Sequence, residues 1–109
     1  MDCEQIQISF SVEPDYCVLR LEGGLGVAHA EELRLAAQEL CAYRKDVKVD
    51  WSRATQIDAG IAQVLLALRA GLIKQKQSLL IGEGIPPAIQ NWLNHAGLAA
   101  NLGSPERHA

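Results

Sequence analysis

Residues 47–68, VKVDWSRATQIDAGIAQVLLAL, contain the patterns on which the predicted fold of this chain depends. Val47 and Val49 alternate with polar neighbours, and β-branched residues at every second position are typical of a strand. Residues 51–56 are mostly polar and predict a connecting loop. From Ile61 onward, apolar residues recur at helical spacing. The stretch therefore predicts a strand, a loop and a helix, with the loop as the expected working surface.

Asp58 stands just before the helical spacing begins. A carboxylate in that position can accept hydrogen bonds from the free amides of the first turn, and it meets the positive end of the helix dipole. The apolar residues of this helix extend over more than one face, because Leu66 and Ile73 lie off the main stripe. That breadth fits either burial between neighbouring elements or an exposed docking face.

The flanking sequence alternates strand and helix signals. Apolar and polar residues alternate in two segments on either side of Pro14, which predicts an antiparallel hairpin. A later pair of prolines suits the start of a helix, and Gly97 suits its end. The predicted strands are residues 6–10, 16–22 and 79–81, and the predicted helices are residues 28–43 and 86–96.

The resulting order of elements is β-β-α-β-α-β-α. Such alternation predicts an α/β fold with a mixed sheet of about four to five strands, mostly parallel, and one antiparallel edge strand from the N-terminal hairpin. The 109 residues contain no internal repeat or linker, so residues 1–109 are predicted to form a single domain. Its core is expected at about residues 6–102, and the tail at residues 103–109 is expected to be disordered.

Composition excludes several classes of protein. The net charge of −3 gives no reason to expect nucleic acid binding. No run approaches the roughly 20 apolar residues of a membrane span, and the N-terminus lacks a secretion signal. Cys3, Cys17 and Cys41 are an odd number without close pairing, which favours reduced thiols. We therefore expect a cytoplasmic protein that does not insert into a membrane.

Residues that could support catalysis or metal binding do not form a recognisable set. His29, His95 and His108 lie in different predicted segments, without the spacing of zinc ligands. There is no Gly-x-Ser-x-Gly elbow and no Ser, His and acid combination. The glycine pairs that follow two strands do not complete a phosphate-binding fingerprint. The sequence therefore predicts no enzyme activity, no metal and no cofactor.

Three segments, in order, resemble a STAS domain, the fold of bacterial anti-sigma factor antagonists and of the cytosolic part of sulfate transporters. They are LEGGLGVAHAEEL at residues 21–33, the stretch at residues 47–68, and a Gly-Leu pair after the last helix. The resemblance covers about residues 18–98. The family pattern is a strand ending in Asp, a short loop, an Asp followed by Ser or Thr, and a helix that begins with Gly.

The resemblance implies a regulator that binds another protein in a partner-switching system, or in one linked to chemotaxis or a phosphorelay. Its partner would be an anti-sigma factor or a protein of the serine or histidine kinase type. In the family, phosphorylation of the residue after the Asp ends binding, because added negative charge disrupts a close interface. Asp58 matches that Asp, but Ala59 follows it and has no hydroxyl group. A permanently unphosphorylated binder is therefore expected, with Ser52 and Thr55 as the other nearby acceptors.

The predicted partner-binding residues centre on the end of this loop and the start of the helix. They are Trp51, Arg53, Thr55, Asp58, Ala59, Gly60, Ala62 and Gln63. Trp51 is interpreted either as an aromatic anchor for the partner or as a semi-buried lid over the core. Arg53 either pairs with a carboxylate of the partner or is a solvated charge.

Two other functions stay open. A small STAS protein can be a structural subunit that braces the ATPase of a lipid-transport ABC complex, and such a subunit needs no phosphorylatable residue. Ala59 fits that role equally well. A sensor of a small ligand or nucleotide would instead require a pocket, which the sequence does not reveal.

Overall fold

The computed structural model describes residues 7–81 and 85–98 of the 109-residue chain. The expected start of the first strand at Ile6 and the predicted tail at residues 103–109 lie outside the described residues. The strands are β1 (Gln7–Val12), β2 (Tyr16–Gly24), β3 (Asp46–Gln56) and β4 (Leu79–Ile81). The helices are α1 (Ala30–Ala42), after a 3-10 turn at Val27–His29, then α2 (Ala59–Lys74) and α3 (Pro87–Ala96). The predicted order of elements is confirmed.

The four strands form one mixed sheet in the order β1-β2-β3-β4. β1 is antiparallel to β2, whereas β2 with β3 and β3 with β4 are parallel. The Glu13 N–H donates to the Tyr16 carbonyl at 2.7 Å and closes the N-terminal hairpin. The predicted α/β fold, with its single antiparallel edge strand, is confirmed.

One face of the sheet carries the hydrophobic core. Cys17 pairs with Val47 and Leu19 pairs with Val49, and all four side chains are buried. The three helices contribute buried residues to the same cluster: Leu33, Leu40, Ile61, Leu65, Leu68, Leu72, Ile89 and Leu93. These residues lie on one side of each helix, so packing against the sheet removes them from water together. Each Å² of apolar surface buried in this way stabilises the folded state by about 25 cal/mol.

β3 is longer than the sequence predicts. Residues 51–56, which were expected to form a loop, continue the strand as far as Gln56. They pair with the end of β2, where Gly23 lies opposite Ala54, and shifts in register mark an irregularity at this point. Such an irregularity interrupts the regular alternation of buried and exposed side chains along the strand. Ser52 and Arg53 are therefore both exposed, although they are consecutive. The prediction of a loop at residues 51–56 was wrong. The polar residues there reflect the interrupted alternation within β3 and not the end of the strand.

Trp51 is consequently a core residue. Its side chain is 1% exposed and belongs to the main hydrophobic cluster. The indole N–H is buried and has no hydrogen-bond partner among the described residues. The interpretation of Trp51 as a surface anchor is therefore wrong, and its burial is deeper than that of a semi-buried lid.

Replacing Trp51 tests its position in the core. Trp51→Ala is expected to lower the free energy of unfolding by about 3–5 kcal/mol, because it leaves a large cavity among packed side chains. Urea denaturation followed by far-UV circular dichroism measures the change. The exposed neighbour Arg53 supplies the control, since Arg53→Ala is expected to change stability by at most about 0.5 kcal/mol. Equal effects of the two substitutions would contradict the burial of Trp51.

Candidate functional site

Asp58 organises the start of α2. Its backbone is extended, and its side-chain Oδ1 accepts a hydrogen bond from the Ile61 N–H at 3.2 Å. The Ala62 N–H donates to the Asp58 carbonyl at 3.1 Å and begins the helical ladder. The carboxylate thus satisfies one of the free amides of the first turn and lies at the positive end of the helix dipole. The prediction that Asp58 caps this helix is confirmed.

The connection between β2 and α1 lies against Asp58. The Leu25 N–H donates to the Gln56 carbonyl at 2.9 Å and holds the two strand ends together. A Cβ atom on Gly26 would lie 3.7 Å from Oδ2 of Asp58. The Gly26 N–H also donates to Nδ1 of His29 at 3.3 Å, which shapes the turn before α1. The starts of α1 and α2 are therefore neighbours at one edge of the sheet.

Ala59 is the first residue of α2 and is exposed. Gly60 is half-buried beside it, and Gln63 is exposed one turn further along the helix. Thr55 is exposed near the end of β3. A substituent at position 59 would therefore face solvent next to the Asp58 carboxylate, without entering the core.

A groove of about 460 Å³ begins at Gly60 and runs between α1 and α2. Its lining is mostly apolar and comes from both helices: Ala30, Glu31, Arg34, Ala37, Gln38, Cys41, Gly60, Gln63, Val64, Ala67 and Leu68. Small side chains on the facing sides of the helices leave this space open. The helices approach closely at the far end, where a Cβ atom on Gly71 would lie 3.3 Å from Sγ of Cys41.

Charged groups on the groove belong to one ion pair. The Arg34 guanidinium donates from Nε to Oε1 of Glu31 at 3.0 Å and also bonds Oε2 through Nη2. These hydrogen bonds favour the ionised carboxylate and hold the pKa of Glu31 below its ordinary value. Both side chains are exposed, so the pair adds little stability and is free to rearrange against another surface.

The predicted site residues divide into three groups. Asp58, Ala59, Gly60 and Gln63 lie together at the start of α2, as expected. Arg53 and Thr55 line a separate depression of about 500 Å³ at the ends of β2 and β3, which shares no lining residue with the groove. Trp51 and Ala62 are buried, so the prediction that their side chains contact a partner is corrected.

The α1 wall of the groove was missed by sequence reasoning. Ala30, Ala37 and Cys41 fall at helical spacing within the helix predicted at residues 28–43, and such an apolar stripe is the usual signature of a core-facing helix. Their small size was the available signal, since small residues on facing helices leave a channel. Which helix they would face depends on the tertiary arrangement.

Other chemistry is sparse in the part of the chain that the structure describes. Within it, no group of three or more His, Cys, Asp or Glu residues could hold a metal ion. Burial raises the pKa of Cys17 and of Cys41, so neither is activated as a thiolate. Over the same residues, no helix has the length and apolar character that crossing a bilayer requires.

Comparison with known proteins assigns the family. Residues 8–103 match the family described as "Mlab, STAS domain", and the chain belongs to the STAS domain family. No curated protein matches the sequence.

Solved structures of anti-sigma factor antagonists share the fold. A candidate antagonist from Thermotoga maritima is 13% identical with a TM-score of 0.75, covering 87% of this chain and 82% of that one. An antagonist from Mycobacterium paratuberculosis is 17% identical with a TM-score of 0.74, covering 90% and 83%. The phosphorylated form of the Bacillus cell fate determinant SpoIIAA is 16% identical with a TM-score of 0.67, covering 90% and 88%. At these identities the similarity shows the fold alone.

The cap at α2 provides a stability test. Asp58→Ala is expected to lower the free energy of unfolding by about 1 kcal/mol, because the Ile61 N–H loses its acceptor. Asp58→Asn keeps an acceptor oxygen and is the matched control, with a smaller loss expected. Urea denaturation of both variants measures the difference. An unchanged stability of Asp58→Ala would contradict the role of Asp58 as a cap.

Proposed function

We propose that this STAS domain is a non-enzymatic regulator that binds a protein partner through the start of α2 and the groove between α1 and α2. The observation that carries this proposal is the position of exposed Ala59, which follows the capping Asp58 and directly precedes Gly60, where the groove begins. The structural similarity to anti-sigma factor antagonists supports an anti-sigma factor as the partner, and the family resemblance of the site adds a kinase-type protein as the alternative.

The chemistry of the groove favours a helical segment of the partner as the group that docks. Its floor is apolar, and its rim carries Glu31, Arg34, Gln38 and Gln63. An amphipathic helix can bury its apolar face in such a groove and place polar residues on the rim. Half-buried Val64 and exposed Ala67 then supply the central contacts, where burial of apolar surface contributes most to affinity.

Ala59 makes the proposed binder insensitive to phosphorylation at this position. Phosphate on a hydroxyl here would add a charge of about −1.5 to −2 next to the Asp58 carboxylate, which opposes a close interface. A methyl group adds no charge, so the surface stays in its binding form. Ser52 is a poor substitute acceptor, since its hydroxyl donates to Oδ1 of Asp50 at 2.9 Å and phosphate there would meet another carboxylate.

The same alanine favours a second candidate function, a permanent subunit that braces a transport ATPase. A permanent contact needs no switch, so a residue without a hydroxyl suits it equally well. The two functions differ in the class of partner and not in the surface used. Identification of the bound protein as an ATPase, or as an anti-sigma factor or kinase, separates them.

A charge at position 59 tests the surface. The partner is captured from the source organism, identified by mass spectrometry and purified, and its affinity is measured by isothermal titration calorimetry. Ala59→Glu is expected to weaken binding about tenfold or more, equivalent to about 1.4 kcal/mol, since it mimics the charge of phosphate. Ala59→Ser is the control of similar size and should bind like the wild type. Equal affinity of the Ala59→Glu variant would contradict the proposed surface.

A matched pair on α2 tests the groove. Ala67 and Ala70 are both exposed on the same helix, but only Ala67 lines the groove. Ala67→Glu is expected to weaken partner binding, because it buries a charge in an apolar contact. Ala70→Glu should leave affinity unchanged. Similar effects of the two substitutions would exclude the groove from the interface.

A further inference from the structure

β1 forms an edge of the sheet among the described residues, and the strand itself contains no charge, proline or bulge that would protect it. Its sequence, QISFSV, contains no charge and no proline. It pairs with β2 along all six residues without a shift in register. Natural edge strands are normally blocked by charges, prolines or bulges, because their unpaired N–H and C=O groups can bind another strand. Among the described residues, β1 has a strand neighbour only on its β2 side.

The hydrogen bonds of the hairpin show which groups face the open edge. The Glu13 N–H donates to the Tyr16 carbonyl, and β1 continues in the same register with Ser11 opposite Val18. Hydrogen-bonded pairs alternate in an antiparallel ladder, so residues 7, 9 and 11 direct their backbone groups toward β2. The N–H and C=O groups of residues 8, 10 and 12 therefore point away from the sheet.

The strand is also nearly palindromic. Ile8-Ser9-Phe10-Ser11-Val12 reads as apolar, serine, phenylalanine, serine, apolar in both directions. If Phe10 lies opposite Phe10 of a second copy, Ile8 lies opposite Val12 and Ser9 lies opposite Ser11. We propose that two copies of this chain pair through β1 in this antiparallel register and form one continuous sheet across a two-fold axis.

In this register, every outward-facing N–H and C=O group of β1 has a partner in the second copy. Ile8, Phe10 and Val12 of each copy occupy hydrogen-bonded positions, so all their outward donors and acceptors are paired. Registers centred on Ser9 or Ser11 leave one of these residues without a partner in the opposite β1. The contact uses the same patch of both copies, so it closes into a dimer and does not extend into a fibre.

The side chains along this edge are suited to the contact. Val12 is 40% exposed, although it lies on the side of the sheet that carries the core, and the pairing places it beside Ile8 of the second copy. The Phe10 ring packs edge to face against the Tyr43 ring, with 6.3 Å between the two ring centroids. The Tyr43 side chain is 46% exposed. Pairing therefore covers apolar surface on the core side and joins serines on the other. A contact one strand wide is small, so dimerisation should depend on concentration.

Sedimentation velocity on the full chain tests the proposal. The wild type is expected to shift from monomer to dimer as its concentration rises. Val12→Lys should remain a monomer, because a charge on an edge strand blocks pairing. Val12→Thr keeps a β-branched residue and should still form the dimer, while circular dichroism confirms that each variant is folded. A wild type that stays monomeric, or a Val12→Lys variant that dimerises equally well, would overturn the proposal.

Disulfide trapping tests the register. The variants Ser9→Cys and Ser11→Cys are prepared separately in a chain that also carries Cys3→Ser and Cys41→Ser, and are then mixed. Opposite residues at a non-hydrogen-bonded position have Cα atoms about 4.5 Å apart, within the range of a disulfide. Oxidation is expected to link the mixed pair, whereas either variant alone should link far less. Linking that is equal in all three samples would overturn the Phe10-centred register.

Discussion

The parallel pairing of β2 with β3 determines where the proposed partner-binding surface lies. β3 pairs with β2 as far as Gln56, which lies opposite Gly24, and the Leu25 N–H donates to the Gln56 carbonyl. Because the two parallel strands end next to each other, the segments that follow them both leave the sheet at the same end. The loop at Gly26 therefore rests against Asp58, and the two helices begin side by side. If β3 ended where its regular alternation ends, this meeting of loops would not occur.

The groove results from the way α1 and α2 pack side by side after they leave that end of the sheet. Both bury large aliphatic residues on the sheet, while small residues occupy the sides that face one another. The helices come together only where Gly71 meets Cys41, so a channel remains nearer their starts. Contact between water and an apolar channel raises the free energy of the protein. Covering the channel with another protein would lower that free energy. Ala59 directly precedes Gly60, where this channel begins, and this position is the basis of the proposed partner surface.

The two proposed contacts lie on separate parts of the molecule. The groove is built from α1 and α2, whereas the pairing edge belongs to β1 at the opposite end of the strand order from β4. Their chemistry also differs, since one depends on side-chain burial and the other on backbone hydrogen bonds. A dimer through β1 would present two partner-binding grooves, each complete within one copy.

Local patterns in the sequence were enough to predict the order of the elements, the hairpin and the cap at Asp58, and they place an alanine directly after that cap. Those features are local: alternation, helical spacing and capping depend on neighbours within a few residues. The continuation of β3 through residues 51–56 and the burial of Trp51 in the core became evident from the folded chain, because the irregular register hides the alternation of buried and exposed residues. The groove also depends on the tertiary structure, because Ala37 of α1 and Ala67 of α2 are far apart in the sequence and line it together only after the helices have packed.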